Sequence, residues 1–247
     1  MAAFGETLFQ PDACLLSPYA GADTPAQTEI AALVSDLRSH GDAFPSLLEA
    51  LDRREPRICI DDRSVDVRGH FDVESNLIAL KAALNEGQRL AVLIHELRHL
   101  DQVARAACPT DEIAMTEFAH AVFAIEADAS AVTAHVGFEM AKAGDARVQA
   151  ALEGFEHYSD ILLAYAEERD RSGSVPLALS AAFSRWYASD WRIERYYVSS
   201  CSDYLDRADE SHRLPSYDRL TEAFYTGLCL LPDGAAYPCE PPDNLSR

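Results

Sequence analysis

Residues 88–106 carry leucines at the spacing of an α-helix, and this pattern constrains the fold more than any other feature of the chain. The leucines that form it are Leu90, Leu93, Leu97 and Leu100. They share one face of a helix, and the opposite face presents His95 and His99. The pattern therefore predicts a helix that packs one side into a core and displays two histidines on the other side.

The two histidines are the ends of the string H-E-x-x-H, in which Glu96 follows the first histidine. Residues four apart lie on the same helical face, so His95 and His99 can reach one metal ion. Glu96 is rotated by about 100° from His95, where its carboxylate can act on a metal-bound water instead of binding the ion. This arrangement is typical of a zinc-dependent hydrolase, most often a peptidase, and predicts one Zn²⁺ per chain. The alternative is an ordinary amphipathic helix that happens to carry two histidines.

The chain is acidic, with 41 Asp and Glu residues against 21 Lys and Arg residues and a net charge of −20. Such a surface repels phosphate backbones and anionic lipids, so we expect neither a nucleic acid nor a membrane as a partner. No apolar run approaches the roughly 20 residues of a membrane span. Because the first residues show no basic segment followed by an apolar one, we predict a cytoplasmic protein. Nothing in the sequence specifies an oligomeric state.

The six cysteines are widely spaced and form no C-x-x-C pair. Without an export signal, this spacing predicts reduced, partly buried thiols and no disulfide framework. The alternative is a bridge between Cys229 and Cys239, which flank a segment that contains proline and glycine.

The remaining patterns predict a mainly helical α+β protein with one small sheet just ahead of the motif helix. Signals for β-strands occur at residues 58–60, 65–67 and 71–80. Helical patterns cover residues 24–39, 43–53, 110–142, 146–170, 176–204 and 215–230. Residues 1–23 have an irregular pattern, and the Pro-rich end is predicted to be loose. We predict an N-terminal helical segment at 1–57, one domain at 58–231 and a C-terminal tail at 232–247.

A small sheet, an H-E-x-x-H helix and a later helix with a glutamate together resemble the zincin metallopeptidases, specifically their gluzincin branch. The resemblance covers about residues 58–136 and includes Glu126 in the segment I-E-A-D-A, which is similar to E-x-x-A/D segments of those families. The longer string H-E-L-R-H-L-D-Q, from His95 to Gln102, resembles uncharacterised bacterial metallopeptidases that carry H-E-x-R-H-x-x-Q. No H-x-x-G-x-x-H follows the motif, which excludes the metzincin branch.

The resemblance implies a peptidase whose zinc is bound by His95, His99 and Glu126. Glu96 is then the general base that takes a proton from the metal-activated water. Helical phase supports Glu126, because this residue lies at one border of the buried stripe of the 110–142 helix, beside small residues. Asp128 lies at the opposite border, and a solvated glutamate at position 126 is the alternative.

The oxyanion of the reaction needs a further hydrogen-bond donor, and we predict Tyr197, which lies in an aromatic-rich stretch. The other candidates are His157, Arg195, Tyr196 and His212. For each of them the alternative is packing in an aromatic core or at the surface.

Three further expectations concern the surroundings of the motif. Arg98 is predicted to contact an acidic substrate group, to pair with a nearby carboxylate, or to be solvated. His120 and His135 are predicted to lie at the surface. The apolar strand at 76–80 is predicted to be a sheet edge along which an extended peptide substrate can pair.

The competing functions are a catalytically inactive zinc-binding protein and an acidic helical interaction protein.

Overall fold

The computed structural model describes residues 11–61 and 67–242, and the chain divides into two compact units. The first unit comprises Met1–Ala104 and Val136–Gly154, and the second comprises Arg105–His135 and Phe155–Arg247. Among the described residues, helices dominate both units, and the first unit also contains a small mixed sheet. The predicted α+β class is therefore confirmed.

The described strands are β1 (Cys14–Leu15), β2 (Arg57–Asp61), β3 (Gly69–Asp72) and β4 (Leu77–Lys81). The described helices are α1 (Pro25–Ser39), α2 (Pro45–Arg54), α3 (Glu86–Ala104), α4 (Met115–Lys142), α5 (Arg147–Gly154), α6 (Ser159–Ser172), α7 (Val175–Trp186), α8 (Asp190–Glu210) and α9 (Glu222–Leu228). Two 3-10 turns occupy Pro11–Ala13 and Gly41–Ala43. No helix in the described part of the chain combines the length and apolarity that crossing a membrane requires.

The sheet corrects one expectation. Its order is β1-β2-β4-β3, so β4 lies between β2, which is parallel to it, and β3, which is antiparallel. The prediction that residues 76–80 form a sheet edge is therefore wrong. Four consecutive residues of β4, 77–80, are buried, so both faces of this central strand are covered.

The stretch 71–80 belongs to two strands, because a turn separates β3 from β4. The side chain of Asp72 accepts hydrogen bonds from the backbone N–H of Glu74 and the hydroxyl of Ser75. Asn76 adopts a positive φ of 51° at the end of this turn. The β signal at 65–67 falls largely on residues outside the described part of the chain.

Helix α3 is buried on all sides, not on one side only. It begins with reciprocal capping, in which Asn85 Oδ1 accepts from the backbone N–H of Gln88 and Gln88 Oε1 accepts from that of Asn85. It contacts α1, α2, α5, β3 and β4. Residues 90–98, including Glu96 and Arg98, are all buried. On the histidine face, His95 is thus buried and His99 is half-buried.

Two disulfides correct the prediction of reduced cysteines. Cys14 on β1 is bonded to Cys59 on β2, and Cys229 is bonded to Cys239. Cys14 and Cys59 are direct partners in the strand register, so their side chains meet although 45 residues separate them. The remaining two cysteines are not part of a disulfide. Disulfides persist mainly in oxidising compartments, which is at odds with the cytoplasmic location predicted from the sequence.

Two predicted long helices are each interrupted in the structure. The pattern at 146–170 contains α5, which ends at Gly154, and α6, which begins at Ser159. The pattern at 176–204 contains α7 and α8, because the side chain of Ser189 caps the start of α8 by accepting from the backbone N–H of Arg192. Buried Arg192 also donates to the carbonyl of Trp186 and pairs with Asp160.

Buried side chains in the second unit bear on two of the predictions. In the C-terminal stretch, Tyr237 and Cys239 are buried, and the Tyr237 hydroxyl donates to Asp128 at 2.6 Å. These two residues of the predicted tail are therefore packed against the rest of the unit, and the looseness of the tail as a whole stays a prediction. His135 is also buried, 2.7 Å from the hydroxyl of Tyr165, which corrects its predicted surface position.

Candidate metal centre

The two histidines of α3 point their ring nitrogens at one position. Their Nε2 atoms lie 3.1 Å apart, and the rings are nearly perpendicular, with centroids 4.7 Å apart. Two nitrogens that bind one tetrahedral zinc at about 2.05 Å are about 3.3 Å from each other. The spacing of His95 and His99 therefore matches that of two ligands of a single ion.

Glu126 of α4 belongs to the same group of ligand atoms. One nitrogen from each histidine and one carboxylate oxygen of Glu126 lie within 4.8 Å of one another. Asp128, the alternative considered from the sequence, accepts the hydrogen bond of Tyr237 instead. The prediction placed the three ligands on two separate helices, and the structure brings these three side chains together.

The chemistry of these residues fits a zinc ion. Two imidazoles and one carboxylate form a donor set that zinc uses in catalytic sites, with a fourth position left for water or substrate. Ser130, one turn after Glu126 on the same face of α4, has a buried hydroxyl without a hydrogen-bond partner among the described residues. A buried hydroxyl without a partner is costly, so its presence beside Glu126 fits a site that takes a polar ligand.

Glu96 lies against the backbone of β3. Its side chain is buried, at 5% exposure. A Cβ atom added to Gly69 would be 3.5 Å from Oε1 of Glu96 and only 2.4 Å from Cγ1 of Val92. The absence of a side chain at Gly69 therefore lets this strand approach α3 at the motif.

Arg98 makes a buried ion pair within the motif helix. Its side chain is fully buried and donates to the carboxylate of Asp101 at 2.6 Å. Of the three roles considered for Arg98, pairing with a nearby carboxylate is the one observed, and solvation is excluded. Gln102, which follows Asp101 in the sequence, is 1% exposed and contacts the ring of His99. The motif string alone did not predict this contact.

Tyr197 is partly exposed on α8, one turn before Cys201. The neighbouring Cys201 and partial burial raise the pKa of Tyr197, so its hydroxyl stays protonated at neutral pH and can donate a hydrogen bond. Its role as an oxyanion donor stays a prediction.

The other donor candidates mostly pack against aromatic rings. His157 is stacked on Trp191 with centroids 3.6 Å apart, and the guanidinium of Arg195 lies 5.6 Å from the centre of the same ring. Tyr196 packs against Trp186, with ring centroids 5.4 Å apart. His212, just after α8, adopts a positive φ of 51°. These contacts favour packing roles for the three ring-packed residues.

Residues 6–239 match the family described as "Putative metallopeptidase family (DUF6782)". The chain belongs to this family. The match covers nearly the whole sequence, including both helices that supply the metal group. No curated protein and no solved structure matches the chain. The description of the family and the His-His-Glu group both indicate a protein that binds a metal ion.

Proposed function

We propose that the protein is a zinc-dependent metallopeptidase of the gluzincin type, with His95, His99 and Glu126 as the ligands of one Zn²⁺. The observation that carries the proposal is the convergence of the two histidine Nε2 atoms, which are 3.1 Å apart. Membership of the metallopeptidase family supports the same chemistry. The substrate class is a peptide or protein, and the reaction is hydrolysis of a peptide bond.

In this proposal, Glu96 and Tyr197 have separate roles in peptide-bond hydrolysis. Zinc, when bound, lowers the pKa of water towards about 7 and polarises the scissile carbonyl. Glu96 takes a proton from the attacking water and returns it to the leaving amine. Glu96 is buried, so its carboxylate is shielded from bulk solvent. Tyr197 donates a hydrogen bond to the oxyanion, and its raised pKa keeps that proton in place.

The substrate pairs with β3 in this proposal. Within the described sheet, β3 is the last strand in the order and pairs with β4 on one side only. Gly69, at the start of β3, brings this strand next to Glu96. Pairing of an extended peptide with the other side of β3 gives affinity through the backbone, with little sequence preference.

Metal content tests the ligand set. We expect about one zinc per wild-type chain by elemental analysis, and a large loss in His95→Ala and in His99→Ala, because two remaining ligands hold zinc poorly. His40→Ala is the matched control, since His40 contacts the carbonyl of Asp36 and lies outside the metal group. A wild-type protein that takes up no zinc would instead indicate an acidic interaction protein whose motif is accidental.

Digestion of an unbiased peptide library tests the catalytic role. We expect hydrolysis that a chelator abolishes, and a decrease of about 10²-fold or more in Glu96→Gln with zinc still bound. Glu153→Gln, an exposed change of the same kind on α5, should leave the rate unchanged. Stoichiometric zinc without any hydrolysis would identify a catalytically inactive zinc-binding protein on this scaffold.

A further inference from the structure

Gln102 contacts the ring nitrogen of His99 that faces away from the other histidine. Its Oε1 lies 2.8 Å from Nδ1 of His99, while Nε2 of His99 is the atom that faces His95. An amide oxygen can only accept a hydrogen bond, so Nδ1 of His99 carries the proton in this contact. Nε2 then keeps its lone pair, which is the form that a metal requires.

The position of Gln102 is fixed by its surroundings. It lies three residues after His99 on the same helix and is 1% exposed, so its amide has no free path to solvent. The carboxylate beside it in the sequence, Asp101, is occupied by Arg98 in a buried ion pair. The neutral amide of Gln102 contacts the His99 ring without adding a negative charge to the site.

We propose that Gln102 is a positioning residue that fixes the tautomer and the orientation of the His99 ring for metal binding. This inference rests on the proposed function. A neutral partner orients the imidazole but raises its basicity less than a carboxylate does. Gln102 thus lets a site that already contains two glutamates, Glu96 and Glu126, keep a more electrophilic metal.

The test removes the acceptor and then restores it. Gln102→Leu keeps approximate size but cannot accept a hydrogen bond, and we expect it to weaken zinc binding by about 10–100-fold in a chelator competition. Gln102→Glu keeps the acceptor, and its zinc affinity should equal or exceed that of the wild type. Gln149→Leu on α5 is the control for a glutamine change outside the motif helix. If Gln102→Leu does not fold, Gln102→Asn shortens the same amide and serves in its place.

A second readout does not depend on the metal. In zinc-free protein, ¹⁵N NMR of histidine side chains should show His99 with the proton on Nδ1 in the wild type and in Gln102→Glu, and a mixture of tautomers in Gln102→Leu. If Gln102→Leu binds zinc as tightly as the wild type or keeps the Nδ1–H form, the positioning role is refuted while the proposed function stands. If the wild type binds no zinc, the proposed function fails. The NMR measurement of the His99 tautomer then tests by itself whether Gln102 positions the ring.

Discussion

Replacement of Gly69 by alanine tests the close approach of β3 to the motif helix. The added Cβ would lie 2.4 Å from Cγ1 of Val92 and 2.9 Å from the carbonyl oxygen of Ala79. Carbon atoms in contact are ordinarily about 3.5–4.0 Å apart, so Val92 would have to move by about 1 Å. The carbonyl belongs to the neighbouring strand β4 and cannot move without shifting the sheet. The change therefore strains two elements at once.

The expected cost follows from two opposing effects. Extra carbon in a packed site costs about 1–3 kcal/mol. Loss of chain entropy in the unfolded state offsets about 0.4–1 kcal/mol of this. The net loss should be about 1–2 kcal/mol, which lowers the Tm of a chain of this size by about 2–8 °C. Val92 lies one turn before Glu96, so we also expect slower peptide hydrolysis.

Thermal unfolding followed by circular dichroism measures the effect. Gly154→Ala is the matched control, because a Cβ at the end of α5 would meet nothing within 4 Å. If Gly69→Ala melts at the same temperature as Gly154→Ala, β3 does not approach α3 as closely as described. The proposed placement of the substrate beside Glu96 would then lose its structural support.

Three further predictions concern other parts of the chain. A thiol titration of denatured, unreduced protein should find two thiols per chain, those of Cys108 and Cys201, and six thiols after reduction. A count of six thiols without reductant would contradict the two disulfides. Burial alone would raise the pKa of Asp160, but the hydrogen bond and charge of Arg192, together with smaller contributions from Arg185 and the backbone of Ile161, outweigh burial and lower that pKa. The ion pair therefore stabilises the fold above about pH 4 and loses this effect as the pH falls further. Asp160→Asn should therefore cost about 1 kcal/mol at pH 7, because Asp160 is partly exposed, and a chemical denaturation series that shows no smaller difference at pH 3 would refute the pairing. Tyr197→Phe should lower kcat by about 10²-fold with zinc content unchanged, and an unchanged kcat would remove Tyr197 from the mechanism.

The sequence was sufficient to predict the parts of this protein that depend on local periodicity. Leucine spacing located α3, because this signal repeats within one helix. Helical phase favoured Glu126, whose carboxylate lies near the two histidine rings, and its role as a ligand stays a prediction. Asp128 is indeed occupied by another contact. The overall α+β class followed from the same patterns, with one sheet directly ahead of the motif helix.

The features that the sequence did not predict depend on contacts between distant residues. Strand order is one of them, because an apolar strand such as β4 has the same local pattern whether one or two neighbours pair with it. The bond between Cys14 and Cys59 is another, since only the register of β1 on β2 brings them together. The role of Gln102 was hidden for a different reason, because a glutamine in a helix is usually solvated and only its burial beside His99 indicates a function.

The contact between Tyr237 and Asp128 bears on the direction in which Glu126 points. An α-helix turns by about 100° per residue, so Asp128 lies about 200° around α4 from Glu126. Asp128 is fully buried and accepts from the Tyr237 hydroxyl at 2.6 Å, and Tyr237 lies in the segment closed by the Cys229–Cys239 disulfide. Because α4 is a continuous helix, a contact that fixes the position of Asp128 also fixes the rotation of α4 about its axis. The same contact therefore determines the side of α4 on which Glu126 lies. The C-terminal segment, which the sequence predicted to be loose, thus contributes a contact that helps to orient the proposed third ligand.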